Sequence, residues 1–510
     1  MSKIVIDPVS RIEGHLKLEV TIDGGAVKEA RSSGTLFRGF EIFLRGRSPL
    51  DAQRITQRVC GVCPIAHSTA ASRALDDAFR IKDLVPANGR RIRNLIFGAN
   101  YLQSHILHFY HLAALDFVDV AAAADYAGED LDLLAVKEFI ARGALGPFLP
   151  REEADFRLSK EDNRKLTAHY VEALKIRRVA HEMLAIWGGK MPHEIGIVPG
   201  GVTSGPTPER IANFLGKLQA VREFIDNRYI PDVLAAAKAY ADYFEIGRGC
   251  GRYLAYGVFD AGGGQSFLPG GTVDTGLKVA EADPAKISES VAASWFAGET
   301  RHPSEGRTEP ALGKGGAYSF LKAPRYNGLP HEVGPLARAL VAFAKGAEPL
   351  KGLVSGTLSA LGAGPEKLFS VLGRHAARAL ECKVVADSMV HWLLELQPGE
   401  PHCAEFRIPR EGQGMGLTEG PRGALGHWIQ IRDRKIANYQ LVVPTTWNAS
   451  PRDEKGQPGP IEQALVGVKV KNESNPVEVL RVVRSFDPCL ACAVHAVSPR
   501  GRTLAEYRLG

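Results

Sequence analysis

Two short cysteine pairs constrain this chain more than anything else in it. Cys60-Gly61-Val62-Cys63 lies near one end of the 510 residues and Cys489-Leu490-Ala491-Cys492 near the other. They are separated by 489 − 63 = 426 residues. If the pairs serve one site, the fold must bring its two ends together in the interior, and metal binding there is coupled to folding. The other three cysteines, Cys250, Cys382 and Cys403, are singletons of the kind that pack as small apolar side chains, and no role is assigned to them.

The chain has the means to build such an interior. With 45% hydrophobic and 24% charged residues it is globular rather than disordered, fibrous or coiled-coil, and it is long enough for several cores or one large interlocked core. The net charge of 63 − 57 = +6 is interleaved along the chain instead of gathered in blocks, so nucleic acid is not indicated as a partner. The most apolar stretch, 96–118, is interrupted by Asn100, Gln103, His105, His108 and His111, so no transmembrane segment of its own is expected. The opening MSKIVIDPVSR lacks a basic segment followed by an apolar core, so no secretory signal of its own is expected, and export, if it occurs, would rely on another protein.

Residues 4 to 36 alternate as strands do, with Asp23-Gly24-Gly25 as a hairpin signal. Apolar residues recur at three and four from about 90 to 116, and again through 161–189, 208–244, 335–346 and 365–396, which predicts long helices. The Gly- and Pro-rich stretches 189–207, 257–276 and 399–426 read as ordered loops. Residues 435–446 read as a strand running into a turn, and 465–484 mixes strand and helix signals. The expected fold class is mainly α with small β-sheets (α+β): a central bundle of long helices, with the N- and C-terminal CxxC motifs brought together at a buried site.

A CxxC turn suits zinc, an iron-sulfur cluster, nickel or a redox disulfide. Zinc ribbons place their pairs much closer than here, ferredoxin cysteines bunch in one local run, and neither pair follows a strand in a βαβ unit. Spacing alone leaves a structural zinc site and a catalytic metal both open. His105, His108 and His111 recur every three residues on one predicted helix, a pattern expected of packed histidines more than of a metal face. VPGGVTSG and DAGGGQ lack the glycine spacing of a nucleotide loop.

Wider motifs narrow the choice. RVCGVCP at 58–64 and DPCLACAVH at 487–495 resemble the two cysteine signatures of the nickel-iron hydrogenase large subunit. DPVSRIEGHLKLEV at 7–20, LFRGFE at 36–41, QSHILHFYHLAALD at 103–116, KAPRYNGLPHEVGPLAR at 322–338, EGPRGALGHW at 419–428 and VVPTTWNASPRD at 442–453 resemble the same family. The resemblance covers essentially the whole chain.

It implies an oxidoreductase that cleaves or forms dihydrogen heterolytically, with nickel held by Cys60, Cys63, Cys489 and Cys492. Cys63 and Cys492 would also bridge to an iron carrying carbon monoxide and cyanide, with Cys60 and Cys489 terminal. Soft thiolates suit nickel, and coordination keeps them deprotonated. Cys489 and Glu13 would carry the released proton, against the plainer reading of Glu13 as a surface strand residue. Arg422 would stand over the metals with Asp487 as its partner, although an Asp-Pro pair also shapes turns. Thr445 would donate to a cyanide nitrogen and His67 would lie beside the bridging cysteine. Glu41, the carbonyl of Leu441 and His495 match a magnesium site. Ser104 stands where many members carry Asp, which puts a carboxylate contact at that place in doubt.

The implied organisation is a catalytic region over 1–495, divided into an N-terminal sheet of about 1–50, a helical core of about 51–398 and a C-terminal metal-binding portion of about 399–495. The extension 496–510 is of the type removed during maturation by an endopeptidase, after maturation proteins insert nickel. Electrons would pass to a small subunit carrying iron-sulfur clusters. The wording DPCLACAVH resembles membrane-bound or periplasmic uptake enzymes, implying the periplasmic side of a membrane by way of the partner subunit, with the cytoplasm as alternative. The rival readings are a hydrogen sensor, a zinc-stabilised scaffold, and the related large subunit of quinone-reducing respiratory complexes, which lacks the metal cysteines present here.

Overall fold

The computed structural model describes residues 1–143, 148 and 155–493, with residues 492 and 493 described by their backbone alone. The N-terminal alternation becomes an antiparallel sheet of Ser2–Ile6, Leu16–Asp23 and Ala26–Gly34. Leu16, Leu18, Val20 and Ile22 all point to the interior because successive strand side chains face opposite ways. The hairpin closes with Asp23 opposite Ala26, and Gly24 and Gly25 between them take φ of 60° and 73°, which a two-residue turn of this hand requires.

The predicted helices form the centre. Ala87–Leu107 is buried over nearly its whole length from Asn94 to Ile106, packed between Lys160–Gly188 and Val371–Leu394. It runs on through a π-helical turn at His108–Ala113. Side-chain caps start the neighbouring helices: Ser159 accepts from the Asp162 N–H, Thr207 from Arg210 and Ser370 from Gly373. The three histidines are packed, as expected. His105 Nε2 lies 3.6 Å from Glu381, His108 bonds the Arg484 carbonyl at 2.7 Å and His111 bonds the Tyr170 carbonyl at 3.1 Å.

The glycine-rich stretches differ from the loop expectation. Val258–Gly262 pairs with Gln265–Leu268, Gly271–Asp274 joins a second sheet, and Ile197–Val198 pairs with Gly201–Val202. Gly412–Gly420 is the first strand of a sheet with Gly423–Arg432 and Lys435–Val442. The reason is close approach: a Cβ on Gly414 would sit 2.0 Å from the Ala74 carbonyl oxygen and one on Gly416 1.9 Å from that of Ala70. Glycine lets this strand lie directly on the helix Pro64–Ala78, whose own facing residues are alanines.

The two ends of the chain share one hydrophobic core, which includes Leu16 and Val20 of the first sheet, Leu102 of the central helix, Val483 near the C-terminus, and Cys60, Cys63 and Cys489. Among the described residues no helix is long and apolar enough to cross a membrane.

Candidate metal centre

Each cysteine pair is set by a helix end. A short 3₁₀ turn, Gln57–Val59, delivers Cys60 in extended backbone, and Cys63 caps the helix Pro64–Ala78, whose first residue is proline. The N–H groups of Val62 and Cys63 donate to the Cys60 sulfur at 3.2 and 3.4 Å. These N–H donors and the positive helix end both favour a thiolate here. At the other end, Val477–Ser485 stops at Asp487, which takes a left-handed φ of 54°, and Pro488 then leads to Cys489 and the short helix Leu490–Ala493.

The two loops meet through Glu13. It forms a parallel bridge with Cys489, takes a hydrogen bond from the Leu490 N–H on its carbonyl at 2.7 Å, and accepts from the Ala491 N–H on its carboxylate at 3.0 Å. Gly14 follows with φ of 80°, and a Cβ there would sit 2.6 Å from the Ala491 nitrogen. Arg38, from LFRGFE, ties both cysteine loops by donating to the carbonyls of Val59 and Ala491. Glu13 is therefore no surface strand residue.

The result is a buried group of sulfurs. One ligand atom each from Cys60, Cys63 and Cys489 lies within 4.8 Å of the others. Cys60 and Cys489 sulfurs are 3.4 Å apart, too far for a disulfide, which needs about 2.05 Å. Two thiolates sharing one metal at about 2.3 Å each stand roughly 3.5–4 Å apart, so the spacing fits a common metal. The Cys492 side chain and all of His495 lie outside the described residues.

Polar groups surround the sulfurs in an otherwise apolar cavity, lined among others by Cys63, Cys489, Arg422, Thr445, Leu425 and Pro444. The Glu13 carboxylate is 3.0 Å from the Cys489 sulfur, and burial, then the charge of Cys60, push its pKa up. Arg422 pairs with Asp487 at 3.0 Å, donates to the Asp487 carbonyl at 3.0 Å and reaches the Ser104 hydroxyl at 3.4 Å. Burial alone would lower the Arg422 pKa, but Asp487 and the three thiols outweigh it and keep the guanidinium charged. Asp487 thus both turns the chain and pairs with Arg422. The Asp487 carboxylate is buried and held through Oδ1 by the Arg422 Nη2 ion pair, with Oδ2 left without a hydrogen bond. Ser104 supplies a hydroxyl where a carboxylate was in doubt.

The arginine is itself held. Arg338, fully buried, pairs with Glu381 and Glu419 and donates to the carbonyls of Gly420 and Pro421 at 3.0 and 2.9 Å, fixing the loop that carries Arg422. Thr445 accepts from the Cys489 N–H at 2.9 Å, leaving its hydroxyl hydrogen for another acceptor. His67 lines the same cavity and bonds His427 at 3.2 Å.

Glu41 and Leu441 also meet: the Leu441 N–H donates to Glu41 Oε1 at 2.8 Å. Around Glu41 stand four residues that the motifs did not single out. Thr308 donates to it, Lys322 lies 3.5 Å away, and Lys322 also reaches Gln440 at 2.9 Å and Glu289 at 3.4 Å. Only Lys322 falls in a recognised segment, KAPRYNGLPHEVGPLAR. Glu289, Thr308 and Gln440 carried no local signal.

Comparison with known proteins agrees with this geometry. The family described as nickel-dependent hydrogenase matches residues 38–495, and a HoxL-like family matches 3–33. The periplasmic [NiFeSe] hydrogenase large subunit of Desulfomicrobium baculatum is 46% identical over 508 residues, covering 97% of this chain and 95% of that protein. The quinone-reactive Ni/Fe-hydrogenase large chain of Wolinella succinogenes is 36% identical, covering 99% and 98%. The solved Ni-Fe-Se hydrogenase of Desulfovibrio vulgaris Hildenborough, in its as-isolated oxidised state, superposes with a TM-score of 0.87 at 45% identity, covering 97% of this chain and 100% of that one. Two of those three names include selenium, whereas all four CxxC positions in this chain are cysteine. The ordered motifs, the convergent thiols and these full-length matches agree, and the chain belongs to the nickel-dependent hydrogenase family as a large subunit.

Proposed function

We propose that this large subunit splits or forms dihydrogen at a nickel-iron centre that Cys60, Cys63, Cys489 and Cys492 would hold. The observation that carries the reading is the buried cluster of three cysteine sulfurs with a carboxylate 3.0 Å from one of them. Bound there, the centre supplies the site where dihydrogen is polarised and its electrons are collected. The iron is assigned carbon monoxide and cyanide ligands, for which the apolar walls and the Thr445 hydroxyl are suited.

The chain's own residues divide the remaining work. Cys489 Sγ takes the proton and Glu13 Oε2, within hydrogen-bond reach, receives it; a carboxyl whose pKa is raised by burial is better matched to a proton carrier near neutral pH. Arg422 keeps a fixed positive charge over the centre, oriented by Asp487 from one side and Ser104 from the other. Among the described residues the only metal-ligand cluster of three or more side chains is this one, so electrons leave through a small subunit carrying iron-sulfur clusters.

Glu41, the Leu441 carbonyl and His495 are assigned to magnesium, supported by the burial of the Glu41 carboxylate and its contact with the Leu441 backbone. The region 1–495 is the working enzyme, divided near 50 and 398, and 496–510 is removed by a maturation endopeptidase after maturation proteins load nickel; the family match ends at His495. The periplasmic name of the Desulfomicrobium relative supports a periplasmic location reached with the partner subunit. Elemental analysis of the purified pair tests the central reading. Nickel and iron in equal amounts with infrared bands of carbon monoxide and cyanide are expected, whereas stoichiometric zinc without those bands would leave a scaffold.

A further inference from the structure

Behind the cysteines lies a line of three buried side chains that the chemistry above does not use. His67 Nδ1 is 3.2 Å from His427 Nε2, and His427 Nδ1 is 2.8 Å from the Tyr439 hydroxyl. All three residues are at most 1% exposed. They come from three elements: the helix that begins after Cys63, and the two strands Gly423–Arg432 and Lys435–Val442. Burial lowers the pKa of His67 to about 4 and holds that of His427 well below its ordinary value, so both rings are neutral and each carries one hydrogen.

Neutral imidazoles in a row have two arrangements. In one, Tyr439 donates to His427 Nδ1, His427 Nε2–H donates to His67 Nδ1, and the His67 hydrogen sits on Nε2. In the other every bond is reversed, and the Tyr439 hydrogen needs a further acceptor. Among the described residues the Tyr439 hydroxyl has no other hydrogen-bond partner. A buried donor left without an acceptor is costly, so the first arrangement wins.

We infer that Tyr439 and His427 are positioning residues that lock the His67 tautomer, so that Nε2–H, the nitrogen not held by His427, is offered as a donor to the thiolates of the cavity His67 lines with Cys63 and Cys489. No proton is exchanged in this role; the tyrosine only breaks the symmetry of the pair. A donor on a thiolate withdraws electron density from the sulfur and from whatever metal it binds.

The inference rests on the nickel-iron reading and is separable from it. Absence of carbon monoxide and cyanide bands in the parent two-subunit enzyme would count against that reading; the positions of those bands in variants test the tautomer lock. Tyr439→Phe keeps the ring and removes the hydroxyl, so the pair loses its bias. Normal nickel and iron are expected, with the carbon monoxide band shifted to lower wavenumber or split with a new component there. His427→Leu should shift it likewise, while His427→Gln, which retains a donor, should move it back toward the parent position. Bands at the parent position in Tyr439→Phe overturn the inference. Loss of metal from all three variants also overturns it, because the line would then serve assembly alone.

Discussion

Glu13 and Cys489 are joined twice, by a backbone bridge and by a 3.0 Å contact between carboxylate and sulfur, although 476 residues separate them. The bridge fixes the height of the carboxylate over the sulfur, so side-chain chemistry at position 13 can be altered without moving the ligand loop.

Glu13→Gln should therefore load metal normally. It keeps an acceptor for the Ala491 N–H and removes the titrating group. Dihydrogen turnover and exchange with solvent deuterium should fall by about 10²–10⁴-fold. Conversion of para- to ortho-hydrogen, which needs splitting without solvent exchange, should persist. Full solvent exchange, or loss of nickel, would return Glu13 to a structural role.

Ligand identity is tested by Cys489→Ser, since an alcohol is a hard, poor ligand for nickel. Nickel and activity should drop to background in that variant. Cys403→Ser is the comparison: Cys403 is exposed and outside the cluster, so nickel, measured by elemental analysis, should stay at the parent level.

The flat contact between strand and helix gives a stability test. Gly416→Ala places a methyl 1.9 Å from the Ala70 carbonyl oxygen, and backbone must move. A cost of about 1–3 kcal/mol is expected, with a lower melting temperature and lower nickel occupancy because Cys63 caps the displaced helix. Gly216→Ala, on the exposed face of Pro208–Phe224 with nothing within 4 Å, should instead stabilise by about 0.4–1 kcal/mol.

Glu462 links stability to pH. Its Oε1 accepts from the Ser32 N–H at 2.9 Å and the Tyr318 hydroxyl at 2.8 Å, and burial raises its pKa to about 7 from an ordinary 4.5. The folded pKa is the higher one, so its contribution is fully present below about 4.5 and is lost as pH rises through 7. The loss amounts to about 3 kcal/mol. Glu462→Gln should thus gain melting temperature relative to the parent between pH 5 and pH 8. A constant difference across that range would mean the carboxyl is already ionised at pH 5.

Several parts of this protein were legible in one dimension because their causes are local. The Gly24-Gly25 turn follows from positive φ, the long helices from apolar recurrence, and the soft donor set from the cysteines themselves. The packed histidines of the central helix were legible for the same reason. Glycine was the misleading letter. At Gly412–Gly420 it reads as loop by composition, yet it serves a strand pressed onto an alanine-rich helix, a requirement imposed by a surface 340 or so residues earlier in the chain.

The sequence by itself determined which atoms are available: four thiols in two pairs, a carboxylate at 13, a guanidinium at 422. Tertiary structure decided which of them meet. The approach of Glu13 to Cys489, of Leu441 to Glu41 across 400 residues and of His427 to His67 across 360 leaves no periodic trace, because none of these contacts is a property of its own segment. They arise when one apolar core draws both ends of the chain inside, and once water is excluded each buried polar group must find its partner among the few others enclosed with it.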